Sequence, residues 1–276
     1  MQPAWRLIAD AEGEAAENMA RDEAIFEAFQ ANLAPPTLRL YGWRHWSLTL
    51  GRFQTAARTT HWEEAQRREI AVVRRITGGR GILHGDDLTV TVVASAAHIG
   101  LGGEAASIVA LYRRLAEGFL FAFEKLGVPA TLGGCTRPLP VEAHGDCFAS
   151  ASQADIVHAQ TGEKLLGSAL HRRGDCFLQQ VSIPLGTPAL KAQRHELTKA
   201  LFRGTMEAQE VSRFLEGVAL RLEIAHGFAN TFGVALQEES LSALELARAQ
   251  TLLTARYQRE TWNRAGTQEA DLPCVV

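Results

Sequence analysis

Arg74-Arg75-Ile76-Thr77-Gly78-Gly79-Arg80-Gly81-Ile82-Leu83-His84 runs out of a β-rich segment, Ile70 to Ile76, into two adjacent glycines. With no Cβ at Gly78 or Gly79, a ligand can approach the backbone closely. The N–H groups there can hold a carbonyl or phosphate oxygen. The spacing is neither a phosphate-loop nor a dinucleotide fingerprint. On spacing alone, a plain glycine turn with a solvated basic flank is the simpler account.

Upstream of this stretch, Glu14 to Phe29 predicts a helix, with Ala24, Ile25, Ala28 and Phe29 as its apolar stripe. Pro35 and Pro36 end it. Strands are expected at Leu38–Trp43 and Ser47–Leu50, then a short charged helix from Trp62 to Glu69. Downstream, Leu88 to Val93 alternates with threonines as a half-buried strand does. Ser107 to Leu126 repeats Ile108, Leu111, Leu115, Phe119, Ala122 and Leu126 at helical spacing. Gly127 and Pro129 stop that helix. A glycine- and proline-rich loop then leads to Cys147. Loops of this kind often carry chemistry. Three strands follow as an expected meander, Asp155–Gln160, Lys164–His171 and Cys176–Ile183, with turns at Thr161-Gly162 and Arg173-Gly174. From Ala189 onward the chain reads as mostly helical, with an apolar break at Val234–Leu236.

A second constellation joins Gly145-Asp146-Cys147-Phe148 to Gly162-Glu163-Lys164-Leu165-Leu166-Gly167-Ser168-Ala169. A cysteine near its ordinary pKa of about 8.5 is only a few per cent thiolate at neutral pH, and a nearby ammonium favours the thiolate. The plain alternative is a packed loop thiol and a solvated hairpin lysine. Gly174-Asp175-Cys176-Phe177 repeats the first tetrapeptide. Cys176 falls in a predicted strand and is expected to pack in the core, whereas Cys147 sits at the mouth of the loop. His144 is a candidate base three residues earlier.

Composition narrows the class. The chain has 276 residues, 46% hydrophobic and 21% charged, with a formal net charge of −3. Those are ordinary globular values, and nothing basic demands nucleic acid or an anionic membrane. No charged stretch followed by an apolar one opens the chain, and no apolar run approaches the roughly 18 residues of a membrane span. The four cysteines form no Cys-x-x-Cys pair, so a reduced, cytoplasmic protein without metal or disulfide staple is expected.

Taken in order, several segments resemble the lipoate–protein ligase and octanoyltransferase family, within the biotin/lipoyl ligase superfamily. They are Asn18-Met19-Ala20-Arg21-Asp22-Glu23-Ala24, Leu38 to Trp43, Ser47 to Gln54, Thr77-Gly78-Gly79-Arg80, His84, Cys147-Phe148 and Lys164 to Ala169. Tyr257 to Arg264 is weakly similar. The chain is closer to the cysteine-dependent octanoyltransferases than to the ATP-dependent ligases. Ligases place a third glycine where Arg80 stands and an Asn-Asp pair near Cys147.

The resemblance implies a mixed, largely antiparallel α/β sheet flanked by helices, with residues 1–276 as a single catalytic domain. It implies a thioester relay on Cys147, from octanoyl-acyl-carrier protein to a lysine of a lipoyl domain or of glycine cleavage H protein, with no cofactor. Lys164 would contact the acyl carbonyl or promote the thiolate. Arg75, Thr77, Gly78, Gly79, His84, Gly167, Ser168 and Ala169 would bind substrate. Three rivals stand beside this: an ATP-dependent lipoate–protein ligase, an octanoyl amidotransferase between lipoyl-carrying proteins, and a non-catalytic binder of lipoyl domains. The chain departs from the family pattern at Ala154, Leu170, Gln180 and Val181, which bears on substrate choice.

Overall fold

The computed structural model describes residues 3–102, 106–133, 155–186, 188–203 and 215–265. The chain opens with β1 (Ala4–Gly13) and α1 (Ala15–Gln30), then β2 (Thr37–Trp43), β3 (Ser47–Leu50), α2 (Ala56–Thr59), α3 (Trp62–Arg67), β4 (Ala71–Arg74), β5 (Ile82–His84) and β6 (Asp87–Ser95). Next come α4 (Ile108–Lys125), β7 (Ala130–Leu132), β8 (Ile156–His158), β9 (Gly167–Arg173), β10 (Cys176–Pro184) and α5 (Pro188–Leu201). It finishes with α6 (Gly217–Phe232), β11 (Ala235–Glu238), α7 (Ala243–Leu252) and, after one wide π-type turn, α8 (Glu260–Ala265).

Six strands form the main sheet in the order β11-β1-β2-β6-β10-β9. The β11–β1 and β1–β2 pairs are parallel, and the other three are antiparallel. The sheet is therefore mixed and largely antiparallel, as the resemblance implied. Every residue of β2 and β6 is buried, as expected of central strands covered on both faces. On one face Leu38, Val90, Val92 and Phe177 pack against Leu111, Leu115 and Phe119 of α4 and Phe228 of α6. On the other, Ile8, Tyr41, Val93 and Leu178 meet Met19, Ile25 and Phe26 of α1 and Leu252 of α7. The α4–α6 crossing is close because a Cβ on Gly227 would stand 2.3 Å from the Gly118 carbonyl oxygen. Ser107 caps α4 by accepting from the Ala110 N–H, the role a serine before an apolar-periodic run predicts.

A small sheet, β4-β3-β5, stands beside the large one. The expected three-strand meander is only partly realised. β9 and β10 pair as a hairpin, but β8 pairs with β7 in a separate ribbon. The strand expected from Lys164 begins at Gly167, and Lys164 itself touches β8 through one isolated bridge to Val157. The cause is Leu165 and Leu166, both buried: their adjacent side chains enter the same core, which breaks strand alternation. Among the described residues, no helix is long and apolar enough to cross a membrane.

Candidate functional site

Where the small sheet faces the large one, a narrow cavity forms. Its walls come from Met19 on α1, Tyr41 and Trp43 on β2, Thr49 on β3, Arg75 after β4, Ile82 and His84 on β5, Thr89 on β6, Ala169 on β9 and Gln180 to Ser182 on β10. Its free volume is about 10 Å³, room for about one water. A longer apolar ligand therefore enters only as lining side chains move, and the unbranched Met19 thioether is the most adaptable of them.

Arg75 is the organiser of the glycine loop. Its Nε–H donates to the Thr77 hydroxyl at 2.9 Å, and its terminal nitrogens donate to the Gly78 and Arg80 carbonyls, both at 2.7 Å, and to the Thr49 hydroxyl. The guanidinium thus holds the loop by its carbonyls. A Cβ on Gly79, which lies at φ +82, would meet Arg75 at 3.2 Å and the Ala169 methyl at 3.4 Å. Thr77 in turn donates to the Gln180 side-chain oxygen at 2.7 Å, and the Gln180 amide donates to Asp22 at 2.7 Å. Asp22 also accepts from Arg39, Tyr41 and Thr91. One buried polar chain therefore runs from α1 through the sheet to the glycine loop. Gln180, read as a departure from the family pattern, is a link in that chain. Leu170 instead packs into the α4–α6 core, on the sheet face away from Asp22.

His84 lies flat on Trp43, with ring centroids 3.8 Å apart. Its Nε2 faces the Thr49 hydroxyl at 2.9 Å and its Nδ1 faces Asp87 at 2.8 Å. Burial pushes the imidazole below its ordinary value although Asp87 pulls the other way. Asp87 is held down to about 2: burial opposes its ionisation but is outweighed by His84, Arg194 and the Ser182 hydroxyl. A carboxylate lowered from 3.8 to about 2 contributes stability that is full above pH 3.8 and is lost as pH falls towards 2, about 2 kcal/mol in all. The urea-unfolding gap between wild type and Asp87→Asn is therefore expected to be wide at pH 6 and to narrow by about that amount at pH 2. A gap equal at both pH values would show that the carboxylate charge contributes nothing.

The other expected site residues divide. Lys164 is buried, with its Nζ 2.9 Å from Asp155 Oδ2, so the solvated hairpin lysine is excluded. Lys164 lies three residues before β9 and outside the cavity lining. Gly167 opens β9 opposite Ser182, and the Ser168 hydroxyl accepts from the Gln179 amide at 2.8 Å. Cys147, His144 and Ala154 lie outside the described residues. Cys176 is half-buried at the start of β10 rather than deep in the core. Its thiol is pushed up by burial and by Asp175. Asp22, Asp87 and Asp155 were missed as site residues. Asp155 alone carried a usable signal, since the turn at Thr161-Gly162 brings it back towards Lys164.

The lipoyl protein ligase A/B catalytic domain family matches residues 14–219. The chain belongs to this family. The octanoyltransferase LipM of Kyrpidia tusciae is 35% identical over 277 residues, covering 94% of this chain and 98% of its own. That of Symbiobacterium thermophilum is 34% identical, covering 95% and 99%. By this full-length kinship the chain is an octanoyltransferase, transferring octanoyl groups in protein lipoylation. The fold is shared with a bi-partite lipoate protein ligase of Thermoplasma acidophilum (TM-score 0.77, 21% identity, 98% of this chain and 100% of that one). It is shared also with lipoate-protein ligase A (TM-score 0.78, 23% identity, 97% and 100%).

Proposed function

We propose that residues 1–276 act as one catalytic domain that takes the octanoyl group from acyl-carrier protein onto Cys147 and passes it to a lysine of a lipoyl domain. The observation that carries this is convergence. Arg75, His84 and Ala169, from segments far apart in the chain, line one cavity. Gly79 abuts Ala169, and Thr77 is tied to that cavity's Gln180. The octanoyl chain would lie in this cavity, with its thioester carbonyl towards the Thr77–Gly79 backbone.

The Cys147 thiolate attacks the carbonyl carbon of the donor, and the carrier's thiolate leaves. The unprotonated amine of the target lysine then attacks the same carbonyl. Cys147 leaves as thiolate, the amine nitrogen loses its proton to that sulfur or to solvent, and an amide remains. One difficult transfer becomes two easier ones. Lys164 would stabilise the charge that grows on the carbonyl oxygen. His84, whose burial disfavours the imidazolium and whose ring nitrogens are both bonded, is fitted for shaping the cavity and not for proton transfer. Such an enzyme would work in the cytoplasm.

Intact-mass measurement after mixing the protein with octanoyl-acyl-carrier protein, without ATP, is expected to give a single octanoyl adduct on Cys147 that is discharged by apo lipoyl domain. Modification from free octanoate that needs ATP and survives loss of Cys147 would overturn this in favour of a ligase. An adduct formed only from octanoylated H protein would make the protein an amidotransferase. No adduct from any donor would leave a binding protein.

A further inference from the structure

Phe53 is 75% exposed, an unusual position for a large aromatic ring. It belongs to the turn between β3 and α2, and its ring carbons lie 3.9 Å from where a Cβ on Gly78 would stand. The turn beneath it is held on every side. Gly51 N–H donates to the Gln54 side chain, Arg52 N–H to the Thr77 carbonyl and Gln54 N–H to the Gly51 carbonyl. Gly51 sits so close to the glycine loop that a Cβ there would stand 2.0 Å from the Gly79 carbonyl oxygen.

The strongest hold is Arg74, which is fully buried. Its guanidinium donates to the carbonyls of Gly51, Arg52 and Gln54 on one side. On the other side it donates to Trp262, Asn263 and Arg264, in and beside the last turn of α8. These six bonds all go to carbonyls, and burial pulls the group down to about 10. A buried cation held by carbonyls is an expensive fixture. Here it clamps the turn to the C-terminal helix, which accounts for the Tyr257–Arg264 segment that the sequence marked without assigning. The result is a rigid turn displaying an apolar ring at the rim of the glycine loop. Rigid display of an aromatic side chain is how binding surfaces limit the entropy lost on contact.

The charge around the ring selects the partner. Residues 51–61 and 74–84 hold five arginines and two histidines and no aspartate or glutamate. Arg58 is exposed, and Arg52 and Arg80 are half-buried on either side of the junction. Such a rim repels an approaching lysine ammonium and attracts an anion.

We propose that Phe53, carried on the Arg74-clamped turn within this basic rim, is the docking point for the donor: an acidic carrier domain that presents its acyl thioester on a phosphodiester-linked arm. This rests on the thioester-relay reading for the identity of the donor, but docking can be measured without chemistry.

The test titrates fluorescently labelled octanoyl-acyl-carrier protein against wild type, Phe53→Ser and Phe53→Trp, and compares Cys147 acylation from that donor with acylation from octanoyl-pantetheine, which has neither protein nor phosphate. Phe53→Ser is expected to weaken carrier binding by about tenfold or more, as central aromatic contacts do, and to leave the rate with octanoyl-pantetheine within about twofold. Phe53→Trp is expected to keep binding, and raising the salt is expected to weaken it. Unchanged carrier binding in Phe53→Ser would overturn the proposal. So would an equal loss with both donors, which would place the ring in the acyl pocket, or a loss confined to transfer onto the lipoyl domain, which would make this the acceptor's surface. Intact carrier binding without any Cys147 adduct in wild type would instead sink the relay and leave the docking surface standing.

Discussion

Cys147→Ala is expected to lose octanoyl transfer by about 10⁴-fold or more, the scale on which removal of a catalytic nucleophile acts, while Cys176→Ala stays within about threefold of wild type. The two cysteines sit in identical tetrapeptides, so the contrast is a test of context. Cys176 opens β10, paired with Ser95 on one side and Arg173 on the other. It lies four positions before Gln180 at the cavity, roughly 13 Å at about 3.3 Å per strand residue. Burial and Asp175 both raise its thiol pKa, which lowers the thiolate fraction and makes it a poor nucleophile. Cys147 has the family context on both flanks. Octanoyl adducts read by intact mass, with transfer to apo lipoyl domain read in parallel, decide the matter. A folded Cys176→Ala protein without activity, or a Cys147→Ala protein with normal activity, would sink the assignment.

The sequence carried the architecture unevenly, for physical reasons. α4 was legible because its apolar stripe, serine cap and terminal glycine agree with one another. β2, β3 and β10 were legible because short, largely apolar runs between turn residues have few other readings. β1 was not. Its burial alternates imperfectly, its register with β2 slips between Ala9 and Glu12, and its partners are Thr37–Trp43 and Ala235–Glu238. A parallel edge assembled from distant segments leaves no local turn signal. The candidate site divides in the same way. Arg75, the glycines and His84 were found through resemblance, and the cavity brings Arg75 and His84 together. The acids that hold them, Asp22 and Asp87, were invisible because a buried helical or strand-end aspartate looks like any surface acid until its partners are placed. Gln180 was noticed only as a mismatch, yet it joins Thr77 to Asp22.

Lys164→Ala is expected to slow acylation of Cys147 by on the order of 10²–10³, the cost of losing one donor at a developing oxyanion. Attack on the thioester builds negative charge on the carbonyl oxygen, and a fixed ammonium nearby lowers that barrier more than it strengthens ground-state binding. Single-turnover acylation at saturating donor should therefore fall while half-saturation moves little. The burial of Lys164 against Asp155 adds a complication. Removing one member of a buried pair leaves the other uncompensated, at a cost of about 3–5 kcal/mol, so a slow variant could be an unfolded one. Two further proteins separate the causes. Lys164→Arg keeps the charge but substitutes a broad planar fork for a compact ammonium, and it should not restore the rate. The double variant Lys164→Met with Asp155→Leu removes both charges together. It should recover most of the stability, because an apolar pair of similar volume often replaces a buried ion pair without loss. It should still acylate as slowly as Lys164→Ala, because stability is not what the reaction lacks. Thermal unfolding and single-turnover kinetics on the same preparations give both readings. A stable double variant that acylates within about threefold of wild type, the spread of an indifferent substitution, would show that Lys164 holds the loop before β9 and takes no part in the chemistry.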